Sequence, residues 1–261
     1  MTSTPVAAGL HMKTIVRTVA FAALLLGMCD PLPAEPLIDF YFGQQFTENS
    51  DIRFKQHSLG NDFTFHDVSL DSQSFVSPFY WGLRGVYYFE RVPWLGVGVE
   101  YIHMKAFAET SDVRRLTGIR SGAPVDTRLP MNTVVQGFSV SHGLNYVLFN
   151  GYLRHGFYKD PDRFPAGRVQ PYGGVGVGPV IVHPENSVEH LDNGGGYDLG
   201  GAGGQVCLGV RLLLLKHLGV FAEYKFTFSG LEVNVAHGSA EFDERSHHLI
   251  GGLTVALPSP W

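Results

Sequence analysis

The chain has 261 residues, a formal net charge of -5, 44% hydrophobic and 16% charged residues, 32 glycines and two cysteines. Low charge with abundant glycine excludes a disordered or nucleic-acid-binding polymer. The lack of an apolar run of about 18 residues beyond the N-terminus excludes a helical membrane protein, leaving a glycine- and aromatic-rich β domain that is either soluble or barrel-shaped.

In chain order, Lys13 and Arg17 precede an apolar stretch, and Ala34 in Leu32-Pro33-Ala34-Glu35 offers a small residue for cleavage. Residues 1–34 therefore read as an upstream extension and secretory signal, with Met12 as the natural start. Leu26-Gly27-Met28-Cys29 also suggests a lipoprotein signal, but Met is bulky for the position before the Cys. Cleavage after Ala34 removes Cys29, leaves Cys207 alone and allows no intrachain disulfide. Residues 35–261 are expected to form one domain.

The remaining sequence alternates with period two, the signature of strands with two unlike faces. Ile38, Phe40 and Phe42 face away from Asp39, Tyr41 and Gly43. Trp81, Leu83, Tyr87 and Phe89 oppose Gly82, Arg84 and Tyr88, and Leu95, Val97, Val99 and Tyr101 oppose Gly96, Gly98 and Glu100. A blurred segment sets Val147, Phe149 and Leu153 against Asn150, Tyr152 and Arg154; then Val175, Val177 and Ile181 oppose Gly174, Gly176 and Gly178. Val206, Leu208, Val210, Leu212 and Leu214 oppose Gln205, Cys207, Gly209 and Arg211. Tyr224 and Phe226 oppose Glu223 and Lys225, and Leu249, Leu253, Val255 and Leu257 oppose His248, Gly252 and Thr254. This predicts eight strands and no helix, or ten strands if Phe63 and Phe65 belong to a further hairpin.

Alternation alone leaves the inner face open, because a soluble lipocalin-like binder buries the apolar set and a membrane barrel turns it outward. The glycines share the face of the charges, as a narrow lumen that mixes small and long side chains requires. Lys or Arg at the bilayer midplane on the outer face would cost roughly 2–4 kcal/mol, which pins the register at Glu223 and Lys225. Connections at residues 90–93 and 215–218 are short, while 47–78, 108–141, 183–199 and 230–245 are long, matching the alternation of turns and surface loops in an all-β, antiparallel up-and-down transmembrane β-barrel. Residues 155–168 are long for the short-turn end.

Three segments carry a resemblance: Gln170-Pro171-Tyr172-Gly173-Gly174-Val175-Gly176-Val177-Gly178, Phe221-Ala222-Glu223-Tyr224-Lys225 and Ser246-His247-His248-Leu249-Ile250-Gly251-Gly252. Together they resemble the OmpA-like outer-membrane β-barrel superfamily over roughly residues 36–257. Residues 78–84, 98–105 and 142–145 are similar to barrels described as lipid A oxidases of Gram-negative bacteria. The resemblance implies the outer membrane, contact with lipopolysaccharide and, for the subgroup, oxidation of the proximal glucosamine of lipid A. It carries over no catalytic residue. Many such barrels end on an aromatic residue of the last strand, whereas here Pro258-Ser259-Pro260-Trp261 follows the last alternation.

Asp39, Glu100 and Glu223 against Arg84, Arg154, Arg211 and Lys225 are assigned to the lumen, where a mutually paired network would plug the tube; a proton or ion path is the competing role. His103 and Lys105 follow Tyr101 on the lipid side, where they are candidates for lipid A contact or for general base and phosphate grip; interfacial His and snorkelling Lys are the plainer role. His57, His66, His142, His183, His190, His237, His247 and His248 show no metal-ligand spacing, and His247 and His248 point to opposite faces. Glu185, Glu189, Asp192, Glu241, Asp243 and Glu244 read as solvated loop charge or as holders of divalent cations between lipopolysaccharide phosphates. No cofactor or metal is expected. The expected partners are outer-membrane lipid, lipopolysaccharide and the assembly machinery, with no nucleic acid and a monomeric state.

Overall fold

The structure, a computed structural model, describes residues 34–257. The expected signal with Cys29, and the terminal Trp261, lie outside the described residues, as do the side chains of Ser141 and His142. One antiparallel 14-stranded sheet contains β1 (Ala34–Thr47), β2 (Ser50–Gln56), β3 (Asn61–Val68), β4 (Leu70–Asp71), β5 (Trp81–Phe89), β6 (Leu95–Ala108) and β7 (Val113–Arg120). It continues with β8 (Ala123–Pro130), β9 (Val135–Arg154), β10 (Val169–Val188), β11 (Leu191–Asp192), β12 (Asp198–Leu215), β13 (Leu218–Val235) and β14 (Gly238–Ala256).

Eight of these strands, in the order β1-β5-β6-β9-β10-β12-β13-β14, hydrogen-bond each to the next, and β14 returns to β1 from Leu37↔Ala256 to Thr47↔Ser246. The result is a closed, eight-stranded antiparallel barrel with no free edge in its wall. Period two places the faces. Leu208 and Val177 stand outward at 68% and 67% exposure, while Arg84, Glu100, Glu223 and Lys225 are buried within. This orientation sets aside the soluble lipocalin-like alternative, which needs the apolar set inside.

Small residues make room for large ones in the lumen. The ring of Tyr41 lies across Gly82, that of Tyr152 across Gly174, and that of Tyr172 across Gly209. A β-carbon at Gly174 would sit 2.5 Å from Tyr152 and one at Gly209 2.6 Å from Tyr172, inside van der Waals contact. Glycine on the charged face therefore follows from the tyrosines of the neighbouring strands.

Short turns join β5 to β6 and β12 to β13 at one end, together with residues 155–168, which are tied by the bridges Phe157↔Val169 and Asp160↔Phe164. At the other end the segments expected to be long loops are largely strand. β13 and β14 continue as a hairpin to Val235↔Gly238, so residues 230–245 are not a loop. After a break at Glu48 and Asn49, β2 continues along the same edge of β14, from Phe242↔Ile52 to Ser239↔Lys55. β3 pairs with β2 and with β7, and β7 with β8. The extra hairpin expected around Phe63 and Phe65 exists, but it stands above the barrel and does not widen the wall to ten strands.

Inward side chains of this upper sheet are mostly apolar, with Ser50, Gln56 and Asn61 buried among them. Ile52, Phe54, Phe63, Phe65, Leu116, Phe138, Ala240 and Phe242 form the upper part of the buried apolar cluster. Within it, Phe54 packs on Phe63 at 5.4 Å and on Phe138 at 5.5 Å, and Phe138 on Phe242 at 5.5 Å. The inner face of β14 thus changes character along one strand, from Ala240 and Phe242 in the cap to Glu244, Ser246 and His248 in the barrel.

Candidate functional site: a charged lumen under an apolar cap

The lumen is layered. At the short-turn end, Arg154 donates to Glu35 at 2.6 Å, to the Pro93 carbonyl at 2.8 Å and to Gln170 at 3.2 Å, with its guanidinium 3.7 Å from the centre of the Tyr88 ring. In the next layer Arg84 Nε donates to Asp39 at 2.9 Å and Nη1 to Glu223 at 2.7 Å. Arg211 donates to Asp39 at 2.8 Å and to Thr254 at 2.9 Å, and Thr254 donates to Asp39 at 2.6 Å. The Tyr172 hydroxyl donates to Glu223 at 2.7 Å.

Above this, Glu100 accepts from Lys225, from Tyr41 at 2.5 Å, from Gln205 at 2.6 Å and from Tyr152 at 3.2 Å. Lys225 also lies 3.6 Å from Glu223, which joins the two layers. Cys207 is buried beside them as a free thiol. All seven charged residues assigned to the lumen from alternation occupy it, and each ion pairs with a partner of opposite sign. Buried charge is tolerable on those terms, because each ion's lost hydration is offset by a counter-ion and by hydrogen bonds.

Sequence reasoning missed Glu35 as the partner of Arg154, along with the tyrosine donors Tyr41, Tyr146, Tyr152 and Tyr172. It also misplaced Glu244, which is fully buried and not solvated loop charge. Tyr146 and Ser246 donate to its carboxyl, and Tyr146 lies 2.7 Å from Ser229. The signal was present: Glu244 is in phase with Ser246 and His248 on one strand face. Beneath this layer His248 hydrogen-bonds Thr227 at 2.9 Å and stacks on Tyr80 at 5.4 Å. His247 points outward to Glu48 at 3.1 Å, on the opposite face as expected.

On the outer wall, His103 Nδ1 lies 2.8 Å from Asn145 Oδ1, which also accepts from the Tyr101 hydroxyl at 2.7 Å. The Trp81 ring lies 5.2 Å from Tyr101 and 6.2 Å from His103. Because Asn145 Oδ1 only accepts, the proton of a neutral His103 sits on Nδ1, and Nε2 keeps its lone pair, buried with no hydrogen-bond partner. Lys105 does not lie open beside it. Ile102, Met104 and Ala106 keep one buried face of β6, and the extra residues of the register shift fall on β9 between Val140 and Leu144; Lys105 is only 2% exposed, its Nζ donating to the Val76 carbonyl at 2.7 Å. The expected His103 and Lys105 pair is therefore divided because the segment after β4 takes up the ammonium, a long-range contact that period-two reading cannot see.

The other acidic residues divide. Glu189 pairs with Arg120 at 2.6 Å and Glu241 with Lys55 at 2.5 Å; Asp243 is exposed and pairs with Arg245 at 3.2 Å, and Asp192 is exposed. Among the described residues no group of three or more His, Cys, Asp or Glu side chains could hold a metal ion. His66 lies 2.7 Å from Asp51 and 2.8 Å from Thr117, on the hairpin above the wall.

No protein-family model matches the sequence, and neither does any curated protein sequence. Among solved structures, similarity extends to Neisserial surface protein A at 11% identity, covering 85% of this chain and 97% of that one with a TM-score of 0.40. Similarity also extends to OprG of Pseudomonas aeruginosa at 11% identity, 87% and 98% coverage and 0.39. The attachment invasion locus protein Ail of Yersinia pestis, solved with the heparin analogue sucrose octasulfate, is similar at 11% identity, 85% and 99% coverage and 0.34. At these values the barrel assignment rests on the strand register above.

Proposed function

We propose that this protein is a non-conducting barrel of a bacterial outer membrane, exported through a cleaved signal, with a structural or surface-interaction role at the lipopolysaccharide leaflet. The observation that carries the reading is the continuous stack of paired charges from Arg154 to Lys225, closed above by the apolar core around Phe54, Phe138 and Phe242. An ion entering such a lumen would have to displace several buried ion pairs and then cross a dry layer. Outside, lipid and lipopolysaccharide would meet the apolar belt and its upper aromatic row of Phe42, Trp81, Tyr101 and Phe228. The barrel would act as a monomer after insertion by the assembly machinery. Planar-bilayer recording of the purified protein is expected to show no steady conductance, and a stable open level would overturn the plugged lumen.

A second reading, a lipid A-modifying enzyme of the oxidase kind, is favoured by one observation, the unpartnered Nε2 of His103 on the outer wall. In that reading His103 would serve as general base toward a lipid A hydroxyl. Lipid A extracted with and without expression would differ in mass if this reading holds, and His103→Ala would erase the difference. Equal masses leave the structural role.

A further inference from the structure

Four buried cations of the lumen, Arg84, Arg154, Arg211 and Lys225, are matched by Asp39, Glu35, Glu100 and Glu223. Glu244 is a fifth carboxyl, and among the described residues no basic side chain pairs with it. Its surroundings are hydroxyls: Tyr146 on β9, Ser229 and Thr227 on β13 and Ser246 on β14. From β1, Gln45 reaches Ser246 at 3.1 Å and Thr47 reaches it at 2.9 Å. The other charged or titratable groups near this layer are Glu48 at the end of β1, His248, Tyr80 and Lys225 below, and Lys105 on β6, whose ammonium is turned to the Val76 carbonyl. On the outer face Asp243 and Arg245 flank Glu244, so it lies above the apolar belt.

The position matters as much as the chemistry. Glu244 is the last polar residue on the inner face of β14 before Phe242 and Ala240 enter the cap core. A charge formed here without a counter-ion would face the underside of a dry apolar layer.

We propose that Glu244 is a proton-binding site that latches the cap to the barrel, closed when the carboxyl is protonated and loosened when it is ionised. In the protonated form the carboxyl donates to the Tyr146 oxygen, Tyr146 donates to Ser229, and no net charge is buried. In the ionised form Tyr146 and Ser246 both donate to the carboxylate, yet the charge stays unmatched, so solvent entry between β14 and the cap becomes favourable.

Burial pushes the Glu244 pKa from 4.5 up to about 7, against the pull of the Ser246, Tyr146 and Thr227 hydroxyls. A carboxyl that holds its proton more tightly folded than solvated adds stability below pH 4.5, and loses that contribution as pH rises through about 7. The latch is therefore tight in mild acid and slack in alkali.

The test is hydrogen exchange of the full folded protein in lipid vesicles, with protection factors for residues 50–56 and 230–245 corrected for intrinsic exchange rates between pH 5 and pH 9. Wild-type protection is expected to fall by between tenfold and a few hundredfold, roughly tenfold per pH unit up to about pH 7, and to level off above it. Glu244→Gln should keep the acid-form protection at every pH. Tyr146→Phe, which removes a donor to the carboxylate, should move the midpoint upward by roughly half a unit to one unit. His247→Gln and His66→Gln, which replace imidazoles paired with Glu48 and Asp51 and not with Glu244, should leave the transition in place. A flat wild-type profile, an unchanged transition in Glu244→Gln, or its loss in either histidine variant would overturn the proposal.

Discussion

The residues that decide this barrel are the paired ions of its lumen. Lys225 and Glu100 are both buried and hydrogen-bonded to each other. Lys225→Met strands the Glu100 carboxylate among tyrosine and glutamine donors, and should cost about 3–5 kcal/mol. Adding Glu100→Gln removes the stranded charge, so the double variant is expected to recover most of the loss, a coupling that a double-mutant cycle of urea unfolding in vesicles measures directly. Equal destabilisation in the single and double variants would show that packing, not charge matching, sets the cost. Gly209 supplies a steric counterpart. Gly209→Val thrusts a side chain toward Tyr172, whose ring lies 2.6 Å from where the β-carbon would be, and should cost about 1–3 kcal/mol through overpacking. Tyr172→Ala in the same chain should relieve the collision and leave Glu223 short of one donor, so recovery is expected to be partial.

At the scale of elements, the wall and the cap are separable in one direction. The barrel closes through β1 and β14 without any contribution from β7 or β8. Replacing residues 113–130 by a short flexible linker should leave the heat-modifiable gel shift of the barrel intact. It should also uncover Phe63 and Phe65, raising the fluorescence of a hydrophobic dye. Loss of the gel shift would mean that the cap supports the wall. The same division explains what the sequence revealed. Wall strands are legible because an apolar outer face and a packed, charged lumen force strict alternation, as in Tyr224 and Phe226 against Glu223 and Lys225. The cap strands are half as long and carry mixed outer faces, so Ile52 and Phe54 read as loop residues, and Phe63 and Phe65 suggest a hairpin without placing it above the wall. Lys105 was illegible for a different reason: its ammonium is taken up by the Val76 carbonyl, a long-range contact that no local pattern marks. His103 stays on the outer wall where alternation puts it.

For the whole molecule, the proposed orientation makes a prediction about reach. The short turn at Lys216 and His217 and the segment around Asn193 lie at opposite ends of the barrel. In intact cells a membrane-impermeant maleimide is expected to label Asn193→Cys and to leave Lys216→Cys unlabelled until the outer membrane is breached. Native Cys207, only 2% exposed, gives a silent background. Labelling of both positions in intact cells, or of Lys216→Cys alone, would count against that orientation.

The closing seam has a consequence for biogenesis. One strand, β14, meets the first strand of the wall along its lower part and β2 along its upper part, across a sequence separation approaching the whole domain. Ile52 and Phe54 thus have no Ala240 and Phe242 to rest against until the last strand made has docked. Contacts so distant in sequence form late and slowly, so the lid over this tube is completed only once the hoop beneath it has been joined.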